Sequence, residues 1–198
     1  MNHFLFIVIV FAVYLIAAVP TGLVLSKVFG YEDVRNKGSG NIGATNVYRV
    51  AGKLPGVLTL IGDILKGLLP ILLIKHFLNP SMPQLGIVGA VAILGHCYPI
   101  YLKFQGGKGV ATALGIFLVL SPFAVLGACV IFVATVSISR FISLGSMFAA
   151  ITVPLLMLML DQPEPLVISA LFVSLLVVWR HRSNLKRLLD GSESRFKG

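Results

Sequence analysis

Long apolar runs set the pattern of this chain, separated by short polar segments rich in glycine and basic residues. The first run, Phe4 to Ser26, carries no charged residue. Leu54 to Phe77 follows, with Asp63 and Lys66 inside it, then Gln84 to Tyr101, Val110 to Ser139, Phe141 to Leu160 and Leu166 to Trp179. A helix needs roughly 20 apolar residues to cross a bilayer. The runs lack the alternation of barrel strands, and a backbone in hydrocarbon must satisfy its own polar groups, so helices are expected. Val110 to Ser139 has basic segments at both ends and Ser121-Pro122 near its middle, which reads as two short helices broken at Pro122. Each half reaches only about 20 Å at ~1.5 Å per residue, so bilayer thinning or burial must absorb the mismatch. The pattern predicts an all-α integral membrane protein of seven transmembrane helices, some short, with residues 1–198 as a single membrane-embedded domain.

Composition strengthens this reading. Hydrophobic residues make up 57% of the chain and charged residues 12%, against about 25% charged in soluble domains. The opening residues Met1-Asn2-His3-Phe4 carry no basic cluster before the first run, so that run is expected to be a retained span and not a cleaved signal.

The placement of charge then gives a direction. Of 16 Lys and Arg residues, 14 fall in the segments 27–53, 102–109, 139–141 and 180–198, while the turn at 161–165 is acidic. Seven spans put all four basic segments on one side, which the positive-inside rule makes cytoplasmic, with the N-terminus outside and the C-terminus inside. The net charge of +9 suits anionic lipid headgroups or an anionic substrate. Nucleic acid is not expected, because the basic segments lack interleaved aromatics on which bases could stack. Cys97 and Cys129 lie in apolar stretches and read as small core residues. No His, Cys or carboxylate grouping has metal-ligand spacing, so neither metal nor cofactor is expected.

Three polar segments could carry chemistry. The first runs from Arg35 to Arg49 and contains Ser39, Gly40, Asn41, Thr45 and Asn46. Its glycines allow close backbone approach to a ligand, and the Arg49 fork matches phosphate or carboxylate. A solvated loop with ordinary inside charges is the alternative. The second is Gly106-Gly107-Lys108-Gly109, leading into a helix start at Val110. Backbone N–H groups at a helix start attract anions, although the spacing is not that of a Walker loop. A plain turn fits this segment equally well. The third runs from His181 to Glu193, with His181 and Asn184 on one helical face. A basic amphipathic helix on the membrane surface accounts for Lys186 and Arg187 but less well for the His181/Asn184 pair. Asp63 and Lys66, three apart in the second run, read as an internal ion pair locking helices, and His96 as a capping or interfacial residue.

Together, in this order, the stretches KGSGNIGATNVYR, GHCYPIYLKFQGGKG and HRSNLKRLLDGSE resemble the bacterial acyl-phosphate-dependent glycerol-3-phosphate acyltransferases. The resemblance covers nearly the whole chain. It implies transfer of a fatty acyl group from a long-chain acyl phosphate to the 1-hydroxyl of glycerol 3-phosphate, giving lysophosphatidic acid and phosphate. It also implies residence in the bacterial plasma membrane, among membrane lipids. The catalytic positions it implies are Ser39, Arg49, Lys108, His181 and Asn184. Arg49 and Lys108 would meet phosphates and developing charge, Ser39 would bond substrate near the reacting centre, and His181 and Asn184 would position glycerol 3-phosphate. Gly40, Asn41, Thr45, Asn46, Gly106, Gly107 and Gly109 would complete the substrate and phosphate site, the last three glycines as backbone donors. A transporter of organic phosphates or other anions is the competing class, but such carriers often show symmetry between halves, and none is visible here.

Overall fold

The structure, a computed structural model, describes residues 1–196. Among the described residues the chain is all-helical. The helices are α1 His3–Ala18, α2 Thr21–Val28, α3 Ala44–Ala51, α4 Lys53–Leu78, α5 Met82–Cys97, α6 Val110–Leu120, α7 Pro122–Ser139, α8 Ile142–Met159, α9 Glu164–Arg180 and α10 Arg182–Leu189. Single 3-10 turns sit at Val34–Asn36 and Ile100–Leu102. In the bundle α1 lies against α5, α4 against α6, α5 and α8 against α9, and α7 against α8.

Four helical segments, Lys53–Leu78, Met82–Leu102, Pro122–Ser139 and Ile142–Met159, are long and apolar enough to cross a membrane alone. Two bent pairs, α1 with α2 and α9 with α10, raise the count to as many as six. Seven spans are therefore not established. The remaining candidate, α6, has 11 residues, about 16 Å of helix, roughly half of the ~30 Å hydrocarbon core.

Proline sets the breaks. The expected break at Pro122 is present, with Ser121 between α6 and α7. The first run, expected to be one span, is broken at Val19-Pro20, where it bends by 42°. Pro20 has no N–H and pushes the preceding residue out of helical geometry. The Val19 carbonyl freed there accepts from Lys66 Nζ at 2.8 Å. Lys66 in turn pairs with Asp63 one helical turn earlier at 2.9 Å. The ion pair expected within the second run is thus present, and it ties α4 to the α1–α2 break. His96 Nδ1 lies 3.7 Å from the same carboxylate oxygen. His96 is 4% exposed, so of the capping and interfacial roles expected for it the interfacial one does not hold, because residues 98–109 fold back over the end of α5.

Close approach of α4 and α6 depends on small residues. A Cβ at Gly67 would stand 2.3 Å from the Thr112 carbonyl oxygen, and one at Gly115 2.1 Å from that of Ile64. Such contacts let helices pack where lipid supplies no hydrophobic drive between them. Apolar side chains cover the outside, with Phe4, Phe123 and Ile138 strongly exposed. Cys97 is buried as expected, but Cys129 is exposed on α7.

Candidate active site

The first polar segment folds around one asparagine. Asn46, buried in α3, donates from Nδ2 to the carbonyls of Val34 at 2.8 Å and Asn41 at 2.9 Å, with Lys37 O at 3.2 Å. Its Oδ1 accepts from the Ser39 backbone N–H at 2.8 Å. Gly38, at φ +61°, is placed where a Cβ would collide with that Oδ1. Asn46 therefore shapes the loop and turns its polar atoms away from solvent, while Ser39, Gly40 and Asn41 are carried at the surface. Thr45 and Arg49 are exposed on α3.

The glycine loop is fixed from both sides. Gly106 N–H donates to Cys97 O at 3.1 Å and Gly107 N–H to His96 O at 3.2 Å, carbonyls at the end of α5. The N–H groups of Gly106 and Gly107, expected to serve as free donors, are thus engaged within the protein. These residues must be glycine for another reason: a Cβ at either would come within 2.2 Å of His96, at its carbonyl oxygen for Gly106 and its ring for Gly107. Gly109, at φ +86°, turns the chain into α6, and a Cβ there would meet Ile93.

The third segment forms the junction of α9 and α10, bent by 51°. His181 and Asn184 are both buried there. His181 Nδ1 lies 2.7 Å from Val177 O. A carbonyl only accepts, so Nδ1 carries the proton and Nε2 keeps its lone pair. Asn184 Oδ1 accepts from Lys108 Nζ at 2.5 Å, and Asn184 Nδ2 donates to Glu193 Oε1 at 2.7 Å. Ser143 Oγ donates to the same oxygen at 2.7 Å, and Arg187 Nε donates to Glu193 Oε2 at 2.7 Å. Glu193 is thus the carboxylate at the centre of a network joining α8, α10 and the glycine loop. Burial pushes its carboxyl upward, but hydrogen bonds from Ser143, Asn184 and Arg187 outweigh that and hold it below the usual range.

One cavity of about 200 Å³ brings the three segments together. Ser39, Gly40 and Asn41 line it from the first, Lys108 from the second, and Arg180, Arg182, Ser183 and Arg187 from the third. Arg180, Arg182 and Arg187 are additions that sequence reasoning treated as ordinary inside charges. Burial, then the positive charges of Arg187, Arg49 and Arg180, press the Lys108 pKa down to about 8 against the pull of Glu193. Arg49 thus acts on Lys108 although it stands outside the lining. A second, larger groove of about 450 Å³ opens between the α1–α2 break and α4, lined by Ile16, Leu65, Leu69 and Leu73. Its one charged lining residue is Lys66, whose ammonium is held by Asp63 and Val19. The smaller cavity differs in its charge: among the described residues its lining holds four cations and no carboxylate.

A family profile described as glycerol-3-phosphate acyltransferase matches residues 7–191. The chain belongs to the glycerol-3-phosphate acyltransferase family. It is 57% identical to the glycerol-3-phosphate acyltransferase of Syntrophotalea carbinolica, over 97% of this chain and 98% of the relative. It is 50% identical to that of Trichlorobacter lovleyi, over 93% and 94%. Among solved structures it is similar to PlsY, an integral membrane glycerol 3-phosphate acyltransferase, in its glycerol 3-phosphate form. That match has TM-score 0.91 and 39% identity, and covers 97% of this chain and 96% of PlsY. The lysophosphatidic acid form of PlsY matches with TM-score 0.89 and 38% identity, over 97% and 95%. A multi-pass membrane acyltransferase is what these relationships and the fold establish.

Proposed function

We propose that this acyltransferase moves a fatty acyl group from acyl phosphate to the 1-hydroxyl of glycerol 3-phosphate, releasing lysophosphatidic acid and inorganic phosphate. The observation that carries the reading is the convergence of all three polar segments on one cationic cavity at the end of an apolar bundle. Both substrates bear phosphate, which suits a lining of Lys108, Arg180, Arg182 and Arg187, and the acyl tail suits a site bordered by lipid-facing helices.

In this mechanism the glycerol hydroxyl oxygen attacks the acyl carbonyl carbon, and the bond from that carbon to the phosphate oxygen breaks with its electron pair leaving on phosphate. The hydroxyl proton passes to a phosphate oxygen, whose second pKa of about 6 suits a base near neutral pH. No acyl-enzyme forms. Activation of Ser39 would need a base oriented by a third group. His181 instead bonds a backbone carbonyl through Nδ1, with no carboxylate beside that nitrogen among the described residues. Lys108 and Arg49 hold the phosphates and stabilise the carbonyl oxygen as it gains charge. Asn184 aims Lys108, His181 Nε2 bonds glycerol 3-phosphate, and Ser39 bonds substrate at the cavity lip. Gly40, Asn41 and Thr45 border the bound substrate, while Asn46, Gly106, Gly107 and Gly109 serve the site by holding its loops.

The site faces the cytoplasm of a bacterial plasma membrane, with Met1 outside and the six apolar runs making seven crossings, two of them by Val110 to Ser139. Support comes from contacts that gather three of the basic segments at one end, Lys108 on Asn184, Ser143 on Glu193, and the Phe196 N–H on Arg140 O at 2.6 Å, and from the cavity that Ser39–Asn41 of the fourth share with them. The test is to incubate purified protein with glycerol 3-phosphate and palmitoyl phosphate and assay lysophosphatidic acid. Turnover with palmitoyl phosphate and none with palmitoyl-CoA is expected. Comparable turnover with palmitoyl-CoA, in a preparation free of acyl phosphate, would refute the donor assignment.

A further inference from the structure

Arg180 ends α9 immediately before His181, yet its guanidinium does not reach for an acid. It donates from Nε to Gly107 O at 3.0 Å and from Nη2 to Gly106 O at 2.6 Å. Its guanidinium carbon stands 5.1 Å from the centre of the Tyr98 ring, which supports the plane from one face. No ion pair to Arg180 is present among the described residues. The same two glycines already donate their N–H groups to His96 and Cys97. All four backbone polar groups of Gly106-Gly107 are therefore fixed, the N–H groups by α5 and the carbonyls by Arg180.

The next residue is Lys108, and its ammonium returns to Asn184, four positions beyond Arg180. A closed circuit results: Arg180 holds the glycine loop, the loop carries Lys108, Lys108 meets Asn184, and the α9–α10 junction leads back to Arg180. The circuit fixes the gap between the segment that supplies Lys108 and the one that supplies His181. Glycine has the freest backbone of any residue, so two in succession leave the Lys108 Cα mobile unless something outside holds them. A planar fork can bond two successive carbonyls at once, whereas an ammonium is a point donor on a flexible stem.

Resting on the acyl-transfer reading above, we propose that Arg180 is a positioning residue that clamps the Gly106–Gly107 carbonyls and thereby sets Lys108 for the reaction. Its charge borders the cavity, but its hydrogen bonds go to the loop.

The test compares Arg180→Lys and Arg180→Ala with the unaltered protein, purified in the same detergent, with rates expressed per folded molecule. Arg180→Lys keeps the charge and is expected to melt near the unaltered protein while losing about 10- to 100-fold in kcat, since a displacement of ~1 Å at a reacting group costs about that much. Arg180→Ala is expected to recover about tenfold or more of its lost rate on addition of ethylguanidinium, and nothing with ethylammonium, because only the fork bridges two carbonyls. A residue needed only for folding would change the yield of folded protein and would not respond to added guanidinium. Arg180→Lys turning over within about twofold of the unaltered protein would overturn the proposal. So would a folded Arg180→Ala that guanidinium leaves unrescued. If Arg180→Ala does not fold, Arg180→Lys decides alone. If the unaltered protein makes no lysophosphatidic acid from acyl phosphate, it is the donor assignment that fails. The clamp is then tested by calorimetry of glycerol 3-phosphate binding to the unaltered protein and Arg180→Lys, where equal affinities would overturn it.

Discussion

Two polar clusters lie within this bundle, and they differ in how their charges balance. In the interior, Asp63, Lys66 and His96 are 3%, 8% and 4% exposed, and one carboxylate meets one ammonium at 2.9 Å. At the end of the bundle a single carboxylate, Glu193, serves Asn184, Ser143 and Arg187, while Lys108, Arg180 and Arg182 add further positive charge around the same cavity. The interior set is neutral by pairing, as a charge in hydrocarbon must be. The end set carries an excess that no protein acid cancels among the described residues. On the function proposed above, matched charge marks a scaffold, and unmatched charge marks a place for anions. That contrast separates fold from function here better than the identity of the residues does.

Breaking each cluster should therefore give different phenotypes. The largest effect is expected at the cavity: Lys108→Ala and Arg49→Ala should each lower kcat/KM by about 100- to 1000-fold, the usual cost of losing a charge-stabilising donor, with melting little changed. Lys108→Arg should not fully restore it, because a planar fork replaces a point charge beside a tight glycine loop. Steady-state assays paired with melting curves check both.

The interior cluster should behave the other way. Lys66→Met or Asp63→Leu alone leaves an unpaired buried charge and should cost about 3–5 kcal/mol of stability, while the double replacement should recover part of it. Detergent melting reads this, and the rate per folded molecule should fall far less than in the cavity variants, because among the described residues only His96, beside both Asp63 and Gly107, links the two sites.

A milder perturbation is pH. An ordinary lysine stays charged to about pH 10, but Lys108 is pressed down to about 8 by burial and by the cations around it. Its charged form is lost as pH rises through that value, so kcat/KM, which reports the free enzyme, should fall about tenfold per unit above roughly pH 8. A profile flat to pH 9.5 or so would show that the lysine is not held in this environment.

Least of all, Ser143→Ala removes one of the hydrogen bonds to the Glu193 carboxylate and should cost about 1.5 kcal/mol, a change in rate or stability of about tenfold. A much larger loss would mean that Ser143 meets substrate directly.

Much of this was legible in the residues. Apolar run length reveals the helical membrane class, and Ser121-Pro122 reveals the α6–α7 break. The break at Pro20 is hidden inside a continuous apolar run, and its compensation comes from Lys66, 47 positions from the Val19 carbonyl it bonds. Lys66 within an apolar run was the available signal, since a buried ammonium needs an acceptor. The three motifs mark the proposed site, but not how it is held. Glycines before a helix suggest anion-binding N–H groups, and only the fold-back over α5 shows that His96 and Cys97 already accept them. Glu193 and Arg180 look like tail charges, because spacing along a strand of sequence cannot show a contact made across 50 to 74 residues. The seven-span count is also beyond helix length alone, since α6 is too short to decide by itself.

The central claim is that the unmatched positive charge holds both phosphates in one cavity, so that the acyl group passes directly between substrates. The measurement that tests it most directly is intact mass of the protein after incubation with labelled acyl phosphate alone and an acid quench, followed by addition of glycerol 3-phosphate to a parallel sample. The account predicts no acyl adduct in the first sample and labelled lysophosphatidic acid in the second. A stoichiometric acyl group on Ser39 that glycerol 3-phosphate chases into product would contradict it.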